Sequence, residues 1–189
     1  MFISILKYHN ILLSNMLLEF FNKIGGYGPV ILIFLSWYLL WNNSKLFFYY
    51  TIGIFLDNIF NLILKGIFQQ PRPSEDLIKF NLALSQGKRF IFKDNMPHDM
   101  FGMPSGHTQS AIFSTTFVYL ALNKMNVLYI YLFISLVIMS QRVSFKYHTI
   151  LQVIAGGFVG IGTGYFMYHL AVEKIMGKIT EKLDDNAPI

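Results

Sequence analysis

Phe101-Gly-Met-Pro-Ser-Gly-His107 joins a polar stretch to an apolar run, Ala111 to Leu122. Pro104 and Ser105 are residues that start helices, and Gly106 lets a backbone approach a ligand closely. A helix beginning here presents free N–H groups and the positive end of its dipole to whatever His107 faces. An oxyanion beside a titratable imidazole is the simplest chemistry for that arrangement.

Two more clusters put basic residues at the ends of apolar runs. In Lys65-Gly-Ile-Phe-Gln-Gln-Pro-Arg-Pro73, Lys65 lies near a helix end, and Pro71 and Pro73 hold Arg72 in an extended turn. A guanidinium is a rigid bidentate partner for phosphate. Taken alone, the cluster also fits a positive belt at a membrane interface. In Arg142-Val-Ser-Phe-Lys-Tyr-His148-Thr-Ile-Leu-Gln152, a helical conformation puts His148 and Gln152 on one face. Gln152 then accepts from one imidazole nitrogen and leaves the other as nucleophile. A second reading stays open: Thr149-x-x-Gln152 matches a capping box that serves the helix start. Ser105 is likewise open between a helix cap and a phosphate ligand.

Together the clusters describe a phosphate pocket with a nucleophile and an acid. The reaction they fit is phosphoryl transfer to His148, then attack of water on the phosphohistidine. His107 protonates the leaving oxygen. Lys65, Arg72, Arg142 and the N–H groups at Ser105, Gly106 and His107 stabilise charge on the equatorial oxygens. No acidic cluster accompanies these residues, so neither a metal nor another cofactor is expected.

The elements that must position them are membrane helices. Of 189 residues, 54% are hydrophobic and 13% charged; soluble domains carry about 25% charged residues. Mean hydropathy is +0.47. A span needs roughly 20 apolar residues, so about four to six fit. The expected fold is an all-α polytopic bundle of about six helices, with the active site at one membrane face. One domain is expected over 1–189, with a core at 27–172, a long active-face loop at 74–103 and a polar tail at 173–189. The net charge of +5 suits membrane lipids or phosphate substrates, and no dense basic run suggests nucleic acid. Without cysteine, thiolate chemistry and disulfides are excluded. Oligomeric state is not legible.

Phe2 to Phe21, interrupted by polar residues, reads as an interfacial helix or a poor first span. Gly25-Gly-Tyr-Gly-Pro29 reads as a breaker, and Val30 to Trp41 as a short span. Leu46 to Gln69 follows, with Asp57, Asn58 and Asn61 at bilayer depth, read equally as interhelical bonding or as support for the site. Asn42-Asn-Ser44 matches a glycosylation sequon in a turn too near the bilayer to be a good acceptor. Pro71 to Asp99 is a long polar loop. The remaining helices are Ser105 to Leu122, Val127 to Gln141 and Thr149 to Val172. The last carries Gly156, Gly160 and Gly164 at the spacing of close helix packing. If every helix after the first spans, loop 70–104 and connector 142–148 share one membrane face. If the first segment spans separately, Lys and Arg outside the pocket divide equally between the faces, and charge does not set orientation.

Lys65-x6-Arg72-Pro73, Pro104-Ser-Gly-His107 and Arg142-x5-His148 resemble, in order and spacing, the three-part pattern of the type 2 phosphatidic acid phosphatase superfamily. The resemblance covers about residues 46–172. It implies an integral-membrane, metal-independent lipid phosphatase with a six-helix core. It also implies His148 as nucleophile, His107 as acid, and Lys65, Arg72, Ser105, Gly106 and Arg142 as phosphate ligands. Two positions depart from the pattern: Gln141 separates Ser140 from Arg142, and Gln152 stands where an aspartate is usual. The glutamine, with Phe101-Gly-Met-Pro-Ser and Asn61-x3-Lys65-x3-Gln69, is similar to the dolichyl diphosphate phosphatase branch; Gly106 departs from that branch. The implied substrate is a polyprenyl diphosphate, and the implied location is the endoplasmic reticulum membrane with a lumenal site. A glycerolipid phosphatase and an inactive lipid-binding member are the alternatives.

Overall fold

A computed structural model describes residues 2–93 and 95–173; the expected polar tail lies almost wholly outside the described residues. Among the described residues there are six helices: α1 (Phe2–Leu40), α2 (Ser44–Phe68), α3 (Leu77–Ser85), α4 (Gly106–Leu122), α5 (Met125–Ser144) and α6 (Ile150–Val172). Among the described residues, four stretches are long and apolar enough to cross a membrane: Met16–Leu40, Ser44–Phe68, Met125–Ser144 and Ile150–Val172. The protein is a membrane helical bundle, as the composition predicts.

The six helices are not the expected six. Gly25-Gly-Tyr-Gly-Pro29 does not break the chain, and α1 runs through it with Pro29 inside. The glycines are used for packing. A Cβ at Gly25 would collide with the Gln141 side chain, and one at Gly28 with Ile138. They let α5 lie against α1, and that contact holds the helix together across the weak sequence. The separate first segment is therefore absent, and the sixth helix is α3, inside the loop. Arg142, expected in a connector, belongs to the last turn of α5.

The loop is folded. Asp76 caps α3 by accepting from the N–H groups of Ile78 and Lys79. Strands β1 (Phe90–Lys93) and β2 (Met96–Asp99) pair antiparallel, with Phe90 opposite Asp99. Phe80, Met100 and Phe101 form a small core beneath them.

Helix α4 is the most enclosed and touches α1, α2, α5 and α6. Gly156, Gly160 and Gly164 of α6 lie against the backbone at Ser105, Gln109 and Phe113 of the α4 segment. No larger side chain fits there without moving backbone, so the expected close packing is present. The core stacks Tyr50, Phe113 and Phe117, with ring centroids 5.4–6.1 Å apart. Buried hydroxyls pair between helices, Tyr50 with Ser114 and Ser36 with Tyr131. Such bonds satisfy polar groups that hydrocarbon cannot.

Asp57 and Asn61 of α2 bond to other segments, the first of the two readings. Gln109 Nε2 donates to Asp57 Oδ1 at 2.9 Å, and Thr163 Oγ1 donates to the same oxygen at 2.6 Å, tying α2, α4 and α6. One turn closer to the site, Asn61 Nδ2 donates to Gln109 Oε1 and to the Pro104 carbonyl. At the opposite end, Lys45 Nζ reaches the Glu173 carbonyl at 3.4 Å, bringing the start of α2 to the end of α6. The C-terminal ends of α2 and α5 and the N-terminal ends of α4 and α6 thus converge on one side, as helix parity requires.

Candidate active site

The site is assembled on a short extended segment, Asp99 to Gly102. Helix α2 stops at Gln69, which takes the left-handed conformation (φ 47°) and donates its N–H to Lys65 O. Pro71 and Pro73 forbid further helix. The chain therefore runs extended beside the segment: Pro71 and Phe101 form a bridge, and Gly102 N–H donates to Gln70 O at 2.7 Å.

Three carbonyls of this segment hold three of the expected site residues. Arg72 Nε donates to Asp99 O at 3.0 Å. Lys65 Nζ donates to Phe101 O at 2.9 Å. His148 Nδ1 lies 2.8 Å from Gly102 O. Since a carbonyl only accepts, Nδ1 carries the proton, and Nε2 keeps its lone pair.

Gln152 plays both roles read from its spacing. Its Oε1 accepts from Thr149 N–H at 3.2 Å, while Thr149 Oγ1 accepts from Gln152 N–H, a complete capping box. The same Oε1 lies 3.3 Å from His148 Nδ1. Nε2 donates to Pro71 O at 2.9 Å, which fixes the orientation of the amide. The shorter contact of His148 is to Gly102, so the backbone is its main orienting acceptor, with Gln152 second.

Ser105 is fully buried and starts α4 without a side-chain cap; its hydroxyl accepts from Thr108 Oγ1 at 3.1 Å. Its N–H donates to Gln152 O at 3.0 Å, which leaves that donor already used. Gly106 opens α4, and a Cβ there would meet Asn61 Oδ1 at 3.1 Å. His107, on the first turn, hydrogen-bonds the backbone of Gly26 in α1. Arg142 lies with its guanidinium 4.2 Å from the Tyr147 ring centroid. Its carbonyl accepts from Tyr147 N–H and His148 N–H, each at 3.0 Å, so the turn after α5 folds back and presents His148. Arg142 Nε is buried and has no protein partner among the described residues. A buried donor in that state needs an acceptor.

Lys65, Arg72 and Arg142 act electrostatically on both His107 and His148, so the three clusters lie within electrostatic reach of one another. Burial, followed by Arg72, Lys65 and Arg142, pushes His148 down to about 3. The ring is neutral at ordinary pH. For Arg72, burial lowers the pKa, and Asp99 and Glu75 oppose the shift.

Several participants were not legible in the sequence. Asp99, Arg89 and Gly102 carry no spacing signal. Gly26 and Asn22 lie in the segment that reads as a break and its approach; Asn22 Oδ1 accepts from Gln141 Nε2 at 2.6 Å, and Gln141 lies beside Arg142. That contact also gives a use to the inserted Gln141. Among the described residues, no group of three His, Cys, Asp or Glu could hold a metal ion.

A profile of the PAP2 superfamily matches residues 46–176. The chain belongs to the PAP2 superfamily. Among its relatives, the dolichyldiphosphatase of Saccharomyces cerevisiae is 26% identical over 169 residues, covering 83% of this chain and 65% of that protein. The chain thus spans 65% of the length of that curated relative. The LpxE structure from Aquifex aeolicus superposes with a TM-score of 0.60 at 23% identity, covering 80% of this chain and 85% of the other. The PAP2-type phosphatidylglycerolphosphate phosphatase of Bacillus subtilis gives 0.60 at 18% identity, covering 85% and 80%. These two likenesses establish that the helical bundle is a PAP2 fold.

Two outcomes follow from the site geometry. Gln152→Asp keeps an acceptor for Thr149 and loses the donor to Pro71. It should lower stability by about 1 kcal/mol or more, roughly 2–4 °C per kcal/mol for a chain of this size. Melting of the detergent-solubilised variant at the wild-type temperature would show that the Pro71 tie carries no weight. For His148, the folded-state pKa lies below the ordinary imidazole value of about 6.5, so protonation favours the unfolded chain. Its stabilising contribution is complete above that value and is lost as pH falls toward 3. His148→Gln should therefore lose less stability than wild type between pH 7 and pH 4; parallel melting curves would refute the shift.

Proposed function

We propose that the protein is a lipid phosphatase that hydrolyses a phosphate ester or diphosphate through a phosphohistidine at His148. The observation that carries this reading is the protonated Nδ1 of His148 tied to Gly102 O, which leaves Nε2 as a neutral nucleophile among Lys65, Arg72 and Arg142. Nε2 attacks phosphorus, the bond from phosphorus to the leaving oxygen breaks, and that oxygen takes a proton from His107, which takes it up from solvent when the bound phosphate anion offsets the pocket's cations. Water then attacks the phosphohistidine, gives a proton to His107, and the P–N bond breaks to release phosphate. Lys65, Arg72, Arg142 and the backbone at Gly106 and His107 stabilise the charge on the transferring group. No step requires a metal or another cofactor.

The substrate class is proposed as a polyprenyl diphosphate of the dolichyl type. Support comes from the dolichyldiphosphatase relative and from Gln152 in place of the usual aspartate. With a diphosphate, the leaving group is the lipid monophosphate. Phosphate release by purified protein in detergent with EDTA tests the reading, comparing polyprenyl diphosphate with phosphatidate. Preferential release from the diphosphate is expected, and His148→Ala should reduce it at least a thousandfold while remaining folded. Preference for phosphatidate would make this a glycerolipid phosphatase. Loss of activity in EDTA, restored by a divalent cation, would overturn the metal-free step.

The resemblance to the dolichyl branch also suggests a pocket facing the lumen of the endoplasmic reticulum. A glycosylation sequon inserted after Gln86, in the loop, should be modified when the chain is translated into microsomes. No modification there, with modification of an extended acceptor at 42–45, would place the pocket on the cytoplasmic side.

A further inference from the structure

The loop between α2 and α4 brings one carboxylate into the pocket. Asp99 Oδ2 lies 3.5 Å from Lys65 Nζ, and its side chain is 13% exposed. Arg89 grips the same carboxylate with two bonds, Nε to Oδ1 at 3.1 Å and Nη2 to Oδ2 at 3.0 Å. Its Nη1 donates to Leu62 O at 2.9 Å, near the end of α2, so the pair straps the loop to the helix that carries Lys65. Asp99 Oδ1 also accepts from Phe101 N–H at 3.1 Å, which bends the chain into the segment that presents Phe101 O and Gly102 O. The backbone carbonyl of Asp99 takes Arg72. One residue therefore reaches two of the pocket's cations directly and His148 at one remove.

The charge has a consequence beyond geometry. A carboxylate 3.5 Å from Lys65 competes with an incoming phosphate for the same ammonium, and charges at that separation in a partly buried site interact strongly. Arg89 leaves net positive charge beside it. Burial disfavours the ionised form of Asp99, yet Arg89, Lys65 and the Phe101 N–H outweigh that and hold its pKa below the ordinary carboxylate value. The group stays ionised at working pH.

We propose that Asp99 is a positioning residue of the phosphate pocket, which holds Lys65 by an internal ion pair and, through the Asp99–Gly102 backbone, sets Arg72 and His148. This rests on the phosphatase reading above. It gives the loop a defined part in the reaction: ordering the cations at the expense of some attraction for the substrate anion. Arg89, whose guanidinium is bonded to Asp99 and Leu62, serves as the strap and does not take the phosphate.

Asp99→Asn in the full-length protein separates this role from simple structural support. An amide can still accept from Phe101 N–H and Arg89 Nε, but it removes the charge opposite Lys65. Turnover, KM and inhibition by orthovanadate would be measured in detergent with a polyprenyl diphosphate. kcat should fall roughly tenfold or more, KM should not rise, and orthovanadate should bind about threefold or more tighter. Asp99→Glu, which retains the charge, should leave the vanadate affinity near wild type. Wild-type kcat and KM in Asp99→Asn would overturn the proposal. So would a fall in kcat with unchanged vanadate affinity, since a smaller folded fraction explains that result. A wild-type protein that neither releases phosphate nor binds orthovanadate would overturn the phosphatase reading first, and the positioning role with it.

Discussion

The pocket depends on the backbone of four consecutive residues, Asp99 to Gly102. Buried carbonyls must find donors. Here the donors are Arg72, Lys65 and His148, so satisfying the backbone and arranging the proposed catalytic groups are the same event. The segment is held in turn by Gln70 O, which accepts from Gly102 N–H, and by Asp99 Oδ1, which accepts from Phe101 N–H. A shift of this strand would displace Arg72, Lys65 and His148 together.

A second constraint is the closeness of α6 to α4. Gly156, Gly160 and Gly164 bring the two backbones together, and the N-terminal ends of both helices arrive side by side. Ser105 N–H then donates to Gln152 O, and Gln152 Nε2 reaches across to Pro71. One glutamine thereby joins the starts of α4 and α6 to the chain leaving α2. An aspartate is too short to span those same points. Gln152 in place of Asp therefore trades an ion pair with the imidazolium for a side-chain tie from α6 to Pro71, while the bond to Ser105 is made by the backbone. The orienting acceptor for His148 is supplied by the backbone instead.

The electrostatics follow from this packing. Lys65, Arg72 and Arg142 are drawn into one pocket by helix ends and a proline turn, and among the described residues Asp99 is the carboxylate paired with Lys65. Burial, and after it the surrounding positive charge, keeps His148 neutral, and Arg142 Nε is a buried donor without a protein acceptor among the described residues. Such a site is poised for a multiply charged anion.

Composition and spacing alone determined that this is a helical membrane protein, that its polar clusters lie on one side, and which cations and histidines meet. Those conclusions rest on local rules: the length of a span, the alternation of faces along a chain that crosses repeatedly, and the residue types that bind phosphate. Tertiary structure decided what local rules cannot see. Gly25 to Pro29 is a breaker by propensity, yet Gln141 and Ile138 pack onto its small face and the helix continues. The loop 74–103 is polar and looks unstructured, yet a hydrophobic patch of Phe80, Met100 and Phe101 folds it over the site. Asp99 meets Lys65 and Arg72, and Gly102 meets His148, across more than 25 positions of the chain, for which no periodicity exists. Gln152 was ambiguous between cap and orienting group because one amide has two ends, and only the folded chain places a partner at each.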